Sequence, residues 1–247
     1  MIDTAVLLCA GSSTRLRPLT DDRPKCLLDV GGETILARAV RTLLSLGIRR
    51  LVIATGYREK DVEKALVDCP AEVTFCHNAE YATTQNAVSL HHCRFAVEGS
   101  GFLKLDGDVI FEREVIERLV ADKAELSVAV EKRDDLGEEE MKVVVDGGRI
   151  RAFGKKLDPR RSFGESIGIE KIERAASEKL FAGLARAYGE GRTNLYYEDV
   201  YGELIEQGLN AHAVDVSDLP WIEIDTADDL ARARQSVAEG RVDLRKV

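Results

Sequence analysis

Four apolar runs of strand length, Thr4–Leu8, Leu51–Ala54, Val73–Phe75 and Gly101–Leu105, alternate with three helical patterns, and this alternation constrains the fold more than any other feature. The helical patterns run from Glu33 to Leu46, Glu59 to Val67 and Asn86 to Val97, and stop at Gly47, Pro70 and Gly99. Such a βαβαβαβ rhythm predicts an α/β, Rossmann-like fold: a mostly parallel, mixed sheet with helices on both faces. Ligands of these sheets gather at the carboxyl ends of the strands.

From about residue 125 the rhythm changes. Leu126–Glu131 and Lys142–Asp146 read as strands, and Asp146-Gly147-Gly148-Arg149 as the turn of a hairpin returning through Arg149–Phe153. Glu165–Lys171 is a further strand, followed by helices over Arg174–Tyr188 and Glu198–Gln207. A strand pair, Ala211–Val216 with Trp221–Asp225, and a helix from Thr226 to about Ala238 end the pattern. With no linker to divide it, residues 1–247 read as a single domain with a β-hairpin insertion.

The stretch after the first strand, Leu8 to Gly32, stops resembling a core. Gly11-Ser12-Ser13-Thr14 can expose successive backbone N–H groups as an anion-binding nest. Arg15, Arg17, Arg23 and Lys25 put four cations within eleven residues of a chain whose net charge is −9. That overall charge argues against nucleic-acid binding. Neither the P-loop nor the G-x-G-x-x-G spacing is present. Pro18 and Pro24 stiffen the segment and present Lys25 at a defined point. Cys9, Cys26, Cys69, Cys76 and Cys93 have neither zinc nor disulfide-framework spacing, and no run approaches the roughly 20 apolar residues that span a bilayer. No membrane association and a cytoplasmic location are the expectation; a homodimer is left open.

"LLCAGSSTRLRPLTDDRPKCLLDVGG" resembles the signature A-G-x-G-[ST]-R-[LF]-x-P-L-T-x-x-x-P-K-x-[LM] of nucleotidyltransferases that join a nucleoside triphosphate to a sugar-1-phosphate or amino-alcohol phosphate. Ser13 stands where the pattern has its second glycine. The resemblance implies a nucleotide-diphospho-sugar transferase-like fold, with residues 1–124 as the nucleotide-binding half and 125–247 as the acceptor-binding half. It implies that Leu8, Ala10, Gly11, Ser12, Ser13 and Thr14 approach the nucleotide, and that Arg15 and Lys25 hold its phosphates as the catalytic cations.

Two strand ends carry acids. Asp106 and Asp108 share a face in Leu105-Asp-Gly-Asp108, as do Glu223 and Asp225 in Trp221-Ile-Glu-Ile-Asp225. One acid from each end would suit Mg²⁺, although an acid at a strand end can equally close a turn or cap a helix. The resemblance carries the metal role to Asp108 and Asp225 and leaves Asp106 beside the nucleotide.

"NAEYATTQNAVSL", residues 78 to 90, resembles the corresponding segment of the CTP-using branch, which includes phosphocholine and aminoethylphosphonate cytidylyltransferases. Gln85, Asn86 and Ser89 would then meet the base; read alone, they equally form a helix start with capping polar groups. "GESIGI", "YYED" and "WIEID", in that order, look like the amino-alcohol phosphate branch. Glu165, Tyr196, Glu198, Trp221 and Glu223 become the acceptor side, where acids and aromatic faces suit an ammonium group. Lys155 resembles a family lysine that reaches the acceptor phosphate, with Lys156 competing for the assignment. The expected reaction is Mg²⁺-dependent transfer of a cytidylyl group from CTP to a small phosphorylated or phosphonate amino-alcohol, releasing pyrophosphate. The alternatives are a sugar-1-phosphate or inositol-phosphate nucleotidyltransferase using UTP or another triphosphate, a glycosyltransferase using Asp106-Gly-Asp108 as a D-x-D motif, and a non-catalytic sensor.

Overall fold

The computed structural model describes residues 2–240. Its first half is β1 (Thr4–Leu8), α1 (Ile35–Ser45), β2 (Arg50–Thr55), α2 (Glu59–Ala65), β3 (Glu72–His77), α3 (Asn86–His92), α4 (Arg94–Val97) and β4 (Phe102–Asp106). These four strands are parallel, in the order β3-β2-β1-β4. Alternation along β1 sends Ala5 and Leu7 into an apolar cluster with α1 and α2, and Val6 into another with α3, so both faces are covered. Thr34 caps α1 by accepting from the Ala37 N–H at 3.1 Å. The helical pattern from Asn86 to Val97 breaks at Cys93, giving α3 and α4.

The remaining elements are β5 (Val109–Phe111), α5 (Arg113–Ala121), β6 (Leu126–Lys132), β7 (Lys142–Asp146), β8 (Arg149–Gly154), β9 (Gly164–Ile172), α6 (Arg174–Gly189), α7 (Tyr197–Glu206), β10 (Ala211–Asp215), β11 (Trp221–Glu223) and α8 (Ala227–Ala238). They continue the same sheet through β9-β6-β10-β8-β7, where pairing is mostly antiparallel. The β7–β8 hairpin forms as its Gly-Gly turn predicts.

The expected pairing of Ala211–Val216 with Trp221–Asp225 does not occur. β10 is flanked on both edges in the large sheet, by β6 and β8, so neither edge is left for β11. β11 instead pairs with β5, Glu223 opposite Val109, and the Ile224 N–H donates to the Asp108 carbonyl at 3.1 Å. This crossing brings the late acids to the end of β4. A third apolar cluster, including Leu16, Leu28, Ile110, Ile224 and Leu230, fastens the loop after β1 to β5 and α8. Among the described residues no helix is long and apolar enough to cross a membrane, and all five cysteines are free.

Candidate active site

The loop after β1 is held from beneath by apolar side chains, with Leu16, Cys26 and Leu28 all buried. Ser13 adopts a left-handed conformation, φ 46° and ψ 54°, which explains why the resembling signature has glycine there. The Thr20 hydroxyl donates to the Ser13 carbonyl at 3.0 Å, and the Tyr57 hydroxyl donates to the Thr20 carbonyl at 2.9 Å. The return of the loop, a single helical turn at Lys25–Leu27, aims Lys25 across the sheet edge.

There Lys25 Nζ stands 2.6 Å from Asp108 Oδ2 and 2.7 Å from Asp225 Oδ1, and Arg15 Nη2 is 2.9 Å from Asp225 Oδ2. Four residues singled out from three distant stretches thus meet in one cluster. Burial alone would favour the neutral amine of Lys25, but the two carboxylates outweigh it and hold its pKa above the usual lysine value. Glu223 joins this group: one ligand atom from each of Asp108, Glu223 and Asp225 lies within 4.8 Å of the others. Burial, reinforced by the charges of Asp108 and Asp225, pushes Glu223 up to about 8. Asp108 Oδ1 is buried without a hydrogen-bond partner. Three carboxylates, one with an orphaned oxygen, form a donor set that fits Mg²⁺.

A cleft of about 980 Å³ runs from this cluster in both directions. It is lined by Leu8, Ala10, Gly11, Ser12, Ser13 and Thr14 of the loop with Arg15 and Lys25, Gln85, Asn86 and Ser89 of the α3 end, Asp106, Asp108 and Asp225 at the strand ends, and Lys155, Glu165, Tyr196, Glu198, Trp221 and Glu223 beyond, whereas Arg17, Arg23 and Lys156 lie outside it, Arg17 paired with Asp21 and Arg23 with Asp22. Some of their polar atoms already have partners. Asn86 Oδ1 accepts from the Tyr197 N–H at 3.0 Å, and the Ser89 hydroxyl accepts from Asn78 Nδ2 at 3.0 Å. Lys155 Nζ is 5.0 Å from the Tyr196 ring centroid and 3.4 Å from Glu139 Oε2. Burial pushes Glu165 up to about 7 against the opposing Arg133, whose Nη1 donates to Glu165 Oε2 at 3.1 Å. Glu198, also buried, is pushed up to about 7.

Asp106 and Asp108 do not act as a pair. Asp106 Oδ1 is 2.9 Å from Lys104 Nζ, and Asp106 Oδ2 accepts from the Tyr197 hydroxyl at 2.8 Å, so both its oxygens turn away from the Lys25 cluster. Gly168, at φ +74°, makes room for this seat, since a Cβ there would lie 2.4 Å from Asp106 Oδ2. Lys104 is sealed against Glu170 at 3.2 Å and the Tyr197 ring at 3.4 Å. Sequence reasoning missed Lys104, Glu170 and Arg133; Glu223, read on one face with Asp225 and assigned to the acceptor, also sits within 4.8 Å of the two metal candidates. The signal for the first two was a charge inside an apolar strand, Leu103-Lys-Leu105 and Ile169-Glu170.

A parallel αβ half extended by an antiparallel one, with a basic loop facing strand-end acids, is the α/β architecture of nucleotide-diphospho-sugar transferases. The chain belongs to the family of the MobA-like NTP transferase domain, which it matches over residues 5–242. It is 27% identical to the "Bifunctional IPC transferase and DIPP synthase" of Aquifex aeolicus over 95% of this chain and 52% of that one. It is 26% identical to the CTP:phosphoglutamine cytidylyltransferase of Campylobacter jejuni over 92% of this chain and 97% of that one. The solved structure of the inositol-1-phosphate CTP transferase from T. maritima shares the fold, with a TM-score of 0.80 at 24% identity over 97% of each chain. The chain spans about half the length of the first curated relatives it matches.

Proposed function

We propose that this protein is a cytidylyltransferase that joins CTP to a small phosphorylated or phosphonate amino-alcohol and releases pyrophosphate. The observation that carries the reading is Lys25 held between Asp108 and Asp225, with Arg15 beside it, at the mouth of the nest-forming loop. An acceptor phosphate oxygen attacks the α-phosphorus, a new P–O bond forms, and the bond to the β-phosphate oxygen breaks with its electron pair leaving on pyrophosphate. The acceptor arrives already deprotonated, so no protein nucleophile or base is required.

What the chain supplies is position and charge. Lys25 and Arg15 leave the carboxylates for the oxygens of the triphosphate, where negative charge spreads in the transition state. Backbone N–H groups between Ala10 and Thr14 receive the phosphates. Gln85, Asn86 and Ser89 meet the base with Asp106 beside the nucleotide, and Lys155 meets the acceptor phosphate. Asp108 and Asp225, with Glu223 as a third donor, would hold Mg²⁺, which when bound polarises phosphate oxygens as a Lewis acid. On the acceptor side, Glu165, Glu198, Tyr196 and Trp221 suit a cation; Lys155 already rests 5.0 Å from the Tyr196 ring.

A second acceptor class is favoured by one observation. Arg133 already lies 3.1 Å from Glu165, offsetting its charge, so this end of the cleft can also offer hydrogen bonds to a polyol phosphate such as an inositol phosphate. The D-x-D glycosyltransferase reading is disfavoured, because both oxygens of Asp106 are engaged away from Asp108.

The test is pyrophosphate release from each nucleoside triphosphate with Mg²⁺, against phosphocholine, 2-aminoethylphosphonate, inositol-1-phosphate and sugar-1-phosphates. Turnover with CTP and a cationic acceptor is expected. Turnover with CTP and inositol-1-phosphate would replace the acceptor; release only from another triphosphate, or from none, would overturn the cytidylyltransferase reading.

A further inference from the structure

Behind the acceptor end of the cleft lies a lysine that none of the preceding chemistry uses. Lys142 opens β7, is 1% exposed, and sits opposite Gly154 of β8 and Glu165 of β9. Its Nζ donates to the Lys155 carbonyl at 2.6 Å and to the Glu140 carbonyl at 3.3 Å. No carboxylate of the described residues pairs with it. A buried ammonium held by carbonyls alone is costly to desolvate, and a neutral side chain would fill the same volume at less cost. The two carbonyls belong to the two segments that carry Glu139, Glu140 and Lys155 to the cleft wall. The bond that fixes the Lys155 backbone also fixes where the Lys155 side chain starts, three bonds from its own Cβ and on the way to Tyr196.

We propose that Lys142 is a positioning residue for the acceptor: its buried ammonium clamps the carbonyls of Glu140 and Lys155 together and so delivers Lys155 to the acceptor phosphate. The inference rests on the reading of Lys155 as the residue that meets that phosphate. A clamp of this kind acts mainly on one substrate. From the triphosphate side, Arg15 reaches the clamped segment through an exposed pair, its Nη1 4.0 Å from Glu139 Oε2, and neither clamped carbonyl is involved.

The test compares Lys142→Met, Lys142→Arg and Lys155→Ala with wild type in the pyrophosphate assay, using CTP with phosphocholine, or with inositol-1-phosphate if that acceptor is the one turned over. Losing one charge-assisted hydrogen bond in Lys142→Met is expected to raise the acceptor KM by about tenfold. The CTP KM is expected to stay within about twofold, the mark of a lost interaction confined to one substrate. Lys142→Arg, which can still donate to both carbonyls, restores part of the acceptor KM. Thermal melting and CTP binding by calorimetry verify that each variant is folded, and Lys142→Gln replaces Lys142→Met if the latter fails this check. An unchanged acceptor KM, or equal rises in both KM values, overturns the proposal when Lys155→Ala itself raises the acceptor KM. If Lys155→Ala leaves the acceptor KM unchanged, the reading of Lys155 has failed, and the proposal falls with it.

Discussion

Two lysines of this protein each stand between two carboxylates, and they have opposite surroundings. Lys25 bridges Asp108 and Asp225 at 2.6 and 2.7 Å on the wall of the cleft. Lys104 bridges Asp106 and Glu170 at 2.9 and 3.2 Å with its side chain fully buried under the Tyr197 ring. In both, burial opposes the ammonium and the carboxylates outweigh it, raising the pKa. The difference lies in what can replace the partners. Lys25 lies on the cleft wall, where on the proposed reading a phosphate would take the place of the acids and a divalent cation the place of the lysine. Lys104 itself has no exposed side chain, and the acids around it resist ionisation: burial pushes Glu170 up to about 8 and Glu198 up to about 7. On that reading the pairing at the cleft is exchangeable, whereas the pairing of fully buried Lys104 with Glu170 is a fixed support.

Removing each lysine separates the two roles. Lys104→Met strands the buried Glu170 and the half-buried Asp106 and is expected to lower stability by about 3–5 kcal/mol, read from urea unfolding. Lys25→Met, whose acids reach the cleft, should unfold close to wild type; equal losses in the two variants would erase the distinction. For turnover, Lys25→Ala is expected to lower kcat by about 10²–10³, the usual cost of deleting one such charge-stabilising donor. Full activity in that variant would remove Lys25 from the mechanism.

The smallest effect is a change in pH dependence. Glu170 faces Lys104, Asp106, Glu198, Tyr197 and Tyr201, and its folded pKa lies above the ordinary carboxylate value. The folded chain therefore binds the extra proton, so this contribution to stability is complete below the ordinary value and is lost as pH rises through about 8. Glu170→Gln should flatten the loss of stability between the ordinary carboxylate range and about pH 8. A wild-type and variant profile of the same slope would mean that Glu170 is not the group holding the proton.

The exchangeable cluster was the more legible of the two. Arg15 and Lys25 sit in a long stretch of fixed spacing, and Asp108 and Asp225 close apolar strands, so local pattern reached all four. Their meeting depends on the pairing of β5 with β11: Trp221–Asp225 reads as a strand but was given the wrong partner, and β5, three residues long, is too short for alternation to register. α5 went unread as well. The buried cluster carried only a weak signal, a charge inside each of two apolar strands, with no motif to join them. Lys104 and Glu170 are direct partners in the β4–β9 register, which no local pattern specifies. Ser13 shows a subtler limit: its identity departs from glycine, yet its backbone keeps the left-handed conformation that glycine would adopt.

The most direct test of the central claim, a single in-line displacement carried by position and charge, is the stereochemistry at the α-phosphorus. With one diastereomer of CTPαS and the acceptor identified by pyrophosphate release, the product should show inverted configuration at phosphorus. Retention would require two displacements through a covalent nucleotidyl-protein intermediate, and would contradict an account in which Lys25, Arg15 and the strand-end acids act without a nucleophile of their own.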